Sequence, residues 1–232
     1  PEAVAVGLFD RGHGRFEIFA HYAESPPRDA LLLLIAAATG GGAAGALRIE
    51  ALPEADWVTL SQGQRGPVGA GRFLVHGSHD RGRLARGRFN IEIDAGQAFG
   101  TAHHATTLGC LMAIDRLTRR GNFSRVLDLG CGSGVLAIAA ARALPAAEVF
   151  ASDNDPIAVE VAHGNAVTNG ARRIRFACAL GLDHPVLRRA APFDLIIANI
   201  LAGPLRALSG DVAAALRRGG FVVLSGILNP EA

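Results

Sequence analysis

The sequence predicts an α/β fold: an open parallel sheet that binds a nucleotide-like ligand, preceded by a small α/β module. Three stretches carry that expectation. The apolar run Arg125-Val-Leu-Asp-Leu129 ends in alternating glycines, Gly130, Gly132 and Gly134, and an alanine-rich helical pattern over 135–141 begins at once. Strand, tight turn and helix in that order open a Rossmann-like unit. A second strand, Glu148-Val-Phe-Ala-Ser-Asp153, ends in an acid, and a third, Phe193-Asp-Leu-Ile-Ile-Ala-Asn199, is apolar enough to be buried on both faces.

The first fifty-odd residues divide from this pattern. Residues 1–54 read as a substrate-recognition module of ferredoxin-like α/β type, because they carry elements but no chemistry. Alternation in Ala3-Val-Ala-Val-Gly-Leu8 and Arg15-Phe-Glu-Ile-Phe-Ala-His-Tyr22 predicts two strands joined by a turn at 10–14. Ser25-Pro-Pro-Arg-Asp29 starts a helix through Leu31 and Ala38, and Leu47-Arg-Ile-Glu50 predicts a further strand. Residues 55–66 form a linker in which Asp56 is a candidate cap and Trp57 a packing residue. The catalytic domain then runs over 67–232.

Within that domain, strands are expected at 72–76 and 90–94. Between them lies a basic, glycine-broken run from Arg81 to Arg88, read as a solvated loop or a contact for RNA or an acidic partner. The polar loop 96–107 precedes a helix over 108–117, and loops of this composition line sites. Thr106 or Thr107 could instead only cap that helix. Asp155 before Pro156 is a helix N-cap, which leaves Asp153 as the acid placed to accept hydrogen bonds from two ribose hydroxyls. Turns are expected at Asp183-His-Pro and Ala190-Ala-Pro, a helix over 213–218, and a last strand from Phe221 onward.

Two ligands suit the glycine turn. Gly132, Gly134 and Ala137 fit a dinucleotide fingerprint, which keeps an NAD(P)-dependent oxidoreductase open. Asp128 argues the other way: a carboxylate beside the turn repels a pyrophosphate and suits the zwitterionic methionyl end and sulfonium of S-adenosylmethionine. The start of the following helix would supply N–H groups for the ligand's acceptor atoms.

Composition removes other classes. All 23 basic residues are arginine, so there is neither a Walker-type phosphate lysine nor a Schiff-base lysine. A net charge of +2 gives no reason to expect strong direct nucleic-acid binding or a non-catalytic RNA-binding role. Cys110, Cys131 and Cys178 have no paired spacing, pointing to a reducing, cytoplasmic setting without a metal knuckle. His103 and His104 are adjacent and cannot share a helix face, so no metal site is expected. No apolar run reaches membrane-spanning length, and a monomer is expected. The chain starts with Pro1 rather than methionine, so an upstream segment is expected to be missing.

With these pieces placed, the sequence resembles the bacterial ribosomal-protein methyltransferase family that modifies the stalk-base protein of the large subunit, a class I, S-adenosylmethionine-dependent family. The matching motifs are A-F-G-T-x-H-H-x-T-T at 98–107, D-L-G-C-G-S-G-V-L-A-I-A-A from Asp128, S-D-N-D-P from Ser152, and A-N-I-L-A-G-P-L from Ala198, with S-G-I-L near the end. The resemblance implies that Thr107, Gly130, Asp153 and Asn199 contact S-adenosylmethionine, with Gly132 in the same turn. It implies that the N-terminal module holds the ribosomal protein, whose lysine or N-terminal amines are methylated. Asn199 and the backbone around Ile200 are the aiming groups, by similarity to the N-P-P-Y loop of other amine methyltransferases. A different protein or a small-molecule amine is the alternative acceptor. Two departures stand out: Ala102 occupies a position that is usually glycine, and the family continues with a helix and two strands, so those are expected to be absent here.

Overall fold

The computed structural model describes residues 3, 5–10, 16–22, 24–40, 47–50, 66–84, 87–94 and 105–226. Asp56, Trp57, Ala102, His103 and His104, and residues 11–14 of the expected turn, lie outside them.

Chain contacts divide the protein into two units, 1–55 and 56–232. In the first, β1 (Ala5–Asp10) and β2 (Phe16–His21) pair antiparallel, and α1 (Arg28–Thr39) follows. Pro26 and Pro27 precede α1, and Gly40 ends it at φ 67°, a left-handed value that suits glycine. No strand forms at 47–50, contrary to the pattern read there. Four alternating residues with no paired neighbour among the described residues do not make a strand.

The second unit begins with a three-stranded sheet of β3 (Val68–Ala70), β4 (Phe73–His76) and β5 (Phe89–Glu92), in which β4 and β5 run parallel. Parallel neighbours need a crossover, and a 3-10 helix at Ser78–Arg83 supplies it. The basic run is therefore partly structured, with Arg81 Nε donating to Glu92 Oε2 at 2.6 Å.

The main sheet has the order β10-β9-β6-β7-β8, all parallel. Its strands are β6 (Arg125–Leu129), β7 (Glu148–Asp153), β8 (Arg175–Cys178), β9 (Phe193–Asn199) and β10 (Leu216–Ser225). Helices cover both faces: α2 (Ala105–Thr118), α3 (Val135–Ala143), α4 (Pro156–Thr168), α5 (Pro185–Ala190), α6 (Ala202–Ala207) and α7 (Ser209–Ala215). The central strands sort their side chains by twos. Val126, Leu195 and Ile197 join the core under α2 and α3, while Leu127, Leu129, Ile196 and Ala198 join the core on the opposite face. Coverage of both faces is why β6 and β9 read as continuous apolar runs. Ala137, Ala139 and Ala140 are fully buried, and their small side chains let α3 lie close to the sheet.

Strand β8 and helices α5 and α6 were not legible in advance, since each is only four to six residues long. The helix expected at 213–218 ends instead at Ala215, and Arg217 and Arg218 already belong to β10. Helix α2 starts earlier than expected, at Ala105 among the described residues.

Candidate functional site

A cleft of about 180 Å³ opens at the carboxyl ends of the parallel strands, where an open α/β sheet binds its ligands. One wall is the turn Gly130, Cys131 and Gly132 with Val135 and Leu136; the other holds Thr107, Asp153, Asn154, Asn199 and Ile200. Thr107, Gly130, Gly132, Asp153, Asn199 and Ile200, singled out from the sequence as cofactor or aiming groups, thus line one cavity.

The turn between β6 and α3 depends on backbone freedom. Gly130 and Gly134 have φ of 74° and 77°. A methyl at Gly130 would overlap Cγ2 of Ile200, and one at Gly134 would meet Ala162 at 2.9 Å. The turn's N–H groups are largely spent inside the protein. Gly130 and Cys131 donate to the Ser152 carbonyl at 2.8 and 2.9 Å, and Gly134 donates to the Cys131 carbonyl at 2.7 Å. The Gly132 N–H goes to Oδ2 of Asp153 at 2.9 Å. This pairing takes the turn's own donors, whereas the sequence reading places the ligand's donors at the start of the helix that follows. It also speaks against a pyrophosphate, which needs free donors in such a turn.

Asp128 occupies a different place from the one expected. It is 1% exposed and absent from the cleft lining. Its parity along β6 turns it toward α3, where Oδ2 accepts from the Ala137 N–H at 2.9 Å. A carboxylate there satisfies one of the first-turn donors and complements the helix dipole. Burial pushes its pKa up to about 7; the Ala137 hydrogen bond opposes this and the charge on Asp153 adds to it. Its role in the turn is to anchor α3, not to face a sulfonium.

Asp153 and Asp155 separate as expected. Asp155 accepts from Ile157 N at 2.8 Å and caps α4. Asp153 lines the cleft, and its Oδ1 accepts from Asp155 N at 3.1 Å. Each of its oxygens has one donor and keeps a lone pair for another.

Asn199 ends β9. Its amide nitrogen donates to Oγ1 of the fully buried Thr107 at 3.3 Å, while its Oδ1 is buried and has no partner among the described residues. Thr107 therefore works through its side chain at the cleft rather than as a helix cap. Ile200 is held from two sides. Gly130 meets its side chain, and Gly226, at φ 81° past the end of β10, meets its backbone so closely that a methyl there would strike the Ile200 carbonyl. Sequence reasoning did not find Cys131, Asn154, Val135 and Leu136 as lining residues, since nothing but adjacency to the turn marks them.

The donor set fits S-adenosylmethionine. An acid at the end of β7 suits two ribose hydroxyls, and an unmatched amide oxygen awaits an N–H donor. Among the described residues no group of histidine, cysteine and carboxylate side chains could hold a metal ion, and no helix is long and apolar enough to cross a membrane.

Comparison with known proteins agrees. Residues 9–232 match the family described as ribosomal protein L11 methyltransferase (PrmA). A ribosomal protein L11 methyltransferase of Bradyrhizobium diazoefficiens is 46% identical over 229 residues, covering 98% of this chain and 77% of the relative. One from Brucella suis is 51% identical over 188 residues, 81% of this chain and 66% of the relative. The crystal structure of a ribosomal protein L11 methylase from Lactobacillus delbrueckii subsp. bulgaricus superposes with a TM-score of 0.61 at 32% identity, covering 70% of this chain and 80% of that one. Family match, identity and fold agree, and the chain belongs to the ribosomal protein L11 methyltransferase family.

Proposed function

We propose that the protein transfers methyl groups from S-adenosylmethionine to amines of ribosomal protein L11, the large-subunit stalk-base protein. Family membership supports the reaction class and sets the dinucleotide reading aside. The single observation that carries the amine chemistry is the buried, unpartnered Oδ1 of Asn199, a residue of the cleft lining.

Bound S-adenosylmethionine supplies an electrophilic methyl group on a sulfonium. Thr107, Gly130, Gly132, Asp153 and Asn199 would hold it, with Asp153 on the ribose hydroxyls. The protein's remaining task is to present a neutral amine. A lysine with a pKa of about 10.4 is only ~0.1% neutral near pH 7.4, and selecting that form costs about 4 kcal/mol. Ile200, Val135 and Leu136 give the cleft apolar walls, and loss of water lowers an amine's pKa. The Oδ1 of Asn199 accepts one N–H of the amine and so directs its lone pair, with the Ile200 backbone as second aiming group. No strong general base is required.

Residues 1–54 are assigned to holding the ribosomal protein. Ile18, Phe19, Leu33 and Leu34 are exposed there, apolar side chains that suit a protein partner. Three free cysteines, two of them buried, support a reducing, cytoplasmic setting. The deciding experiment is mass spectrometry of L11 after incubation with the protein and S-adenosylmethionine. Mass increments of one methyl group on amines are expected, and an unmodified L11 beside a methylated small-molecule amine would replace the acceptor.

A further inference from the structure

Every Arg-Arg pair in the chain lies where the polypeptide approaches or enters a strand of the main sheet. Arg119-Arg120 precedes β6, Arg172-Arg173 precedes β8, Arg188-Arg189 precedes β9, and Arg217-Arg218 lies in β10 ahead of its continuous pairing from Phe221. Because the five strands are parallel, these approaches converge on one edge, opposite the cleft.

Cross-links tie that edge together. Glu148 pairs with Arg125 at 3.4 Å and Arg175 at 3.0 Å, across β6, β7 and β8. Asp194 accepts from the backbone N–H groups of Ser124 and Arg125 at 2.6 and 3.0 Å and pairs with Arg217 at 2.9 Å. Arg125 also reaches the Ala190 carbonyl at 3.2 Å. At a strand spacing of about 4.8 Å, five strands make an edge roughly 19 Å wide.

All eight arginines of the four pairs are exposed. Carboxylates take up Arg119, Arg188 and Arg217. Among the described residues, Arg120, Arg172, Arg173, Arg189 and Arg218 have no side-chain partner. The small net charge of +2 thus conceals a strongly uneven distribution.

We propose that this edge docks the sugar-phosphate backbone of RNA. Guanidinium forks match phosphate geometry, and an array of unpaired arginines gives affinity by releasing counterions from a polyanion. The segments joining arginines to strands are mostly short and small, with Gly121, Asn122, Ser124, Ala191 and Gly219 among them. The aromatic among them, Phe123, is turned into the core and stacks edge-on against Phe221. The inference does not depend on the methyl-transfer reading, since it concerns the opposite edge of the sheet.

Fluorescence anisotropy of a labelled single-stranded RNA 20-mer titrated with the full chain tests it. The logarithm of the association constant should fall with that of salt concentration with a slope of about −3.5, from ~0.7 per single-strand phosphate contact and five free arginines. Changing all five to glutamine should cost on the order of a hundredfold in affinity at low salt. The double variant Arg172→Gln, Arg173→Gln should make the slope shallower by about 1.4. Calorimetry with S-adenosylhomocysteine checks that each variant retains its fold. Salt-insensitive or undetectable RNA binding, or unchanged binding by a folded double variant, overturns the proposal. Equal affinity for a polyglutamate of matched charge would also overturn it, by assigning the edge to an acidic protein.

Discussion

The backbone N–H of Gly132 donates to Oδ2 of Asp153 across 2.9 Å, so the acid at the end of β7 also fixes the glycine turn after β6. Removing the carboxylate loses a turn anchor and, on the proposed function, a ligand contact as well. Asp153→Ala is expected to weaken S-adenosylhomocysteine binding by about 2 to 4 kcal/mol, read by calorimetry. Asp155→Ala should leave that affinity nearly unchanged and lower stability by about 1 kcal/mol through loss of the α4 cap. The reverse pattern would exchange the two assignments.

Asn199 tests the aiming role. Asn199→Ala should lower the single-turnover rate by roughly two orders of magnitude, much more than it weakens cofactor affinity, because aiming is expressed mostly in the transition state. If the asparagine only turned the chain after β9, the melting temperature would fall and the folded fraction would react at the normal rate.

Asp128 predicts a pH dependence of stability. Its folded pKa of about 7 stands above the ordinary carboxylate value. Between about pH 4 and pH 7 the folded state retains a proton that the unfolded chain has released, so stability falls as pH rises through that window. At 1.36 kcal/mol per unit the loss is on the order of 4 kcal/mol. Asp128→Asn keeps an acceptor for Ala137 and should flatten the profile in urea titrations at pH 4, 5.5 and 7. An unchanged profile would show that Asp128 ionises as an exposed acid does.

The cysteines should differ in reactivity. Burial pushes the Cys110 thiol up to about 11 and raises that of Cys131 further, whereas Cys178 is exposed at the end of β8. Iodoacetamide should alkylate Cys178 alone in the native protein, with peptide mapping as the readout. Label at Cys110 without denaturant would mean that α2 opens under native conditions.

Deleting residues 1–54 separates recognition from chemistry. Affinity for S-adenosylhomocysteine should survive, since every residue of the cleft lies beyond position 100, while methylation of L11 should be lost. Methylation at the normal rate by the shortened protein would free the first unit from the recognition role.

Much of this site was legible because its chemistry sits at strand ends and in a glycine turn, where few residue types are tolerated. Gly130 is required by φ and by Ile200, Asp155 by the α4 N-terminus, and Asn199 by its place after an apolar strand. Asp128 was misread because its direction follows from its parity on β6 and the position of α3, neither of which a local pattern encodes. The same holds for Leu47, Arg48, Ile49 and Glu50, whose alternation resembles a strand but has no paired neighbour among the described residues. Strand β8 was missed because Arg175, Phe176, Ala177 and Cys178 are few and only Ala177 is buried.

The confinement of Ile200 has a consequence for how such an enzyme can diversify. The glycines 70 positions before it and 26 after it lie against it, one on its side chain and one on its backbone, so the chain at the end of β9 has no slack to absorb a new shape. Both glycines stand at positive φ as well, and substitutions at Gly130 or Gly226 are closed to drift. Changes of target are therefore channelled away from the reacting centre into surfaces that tolerate exchange, and the transfer geometry is inherited as a fixed block.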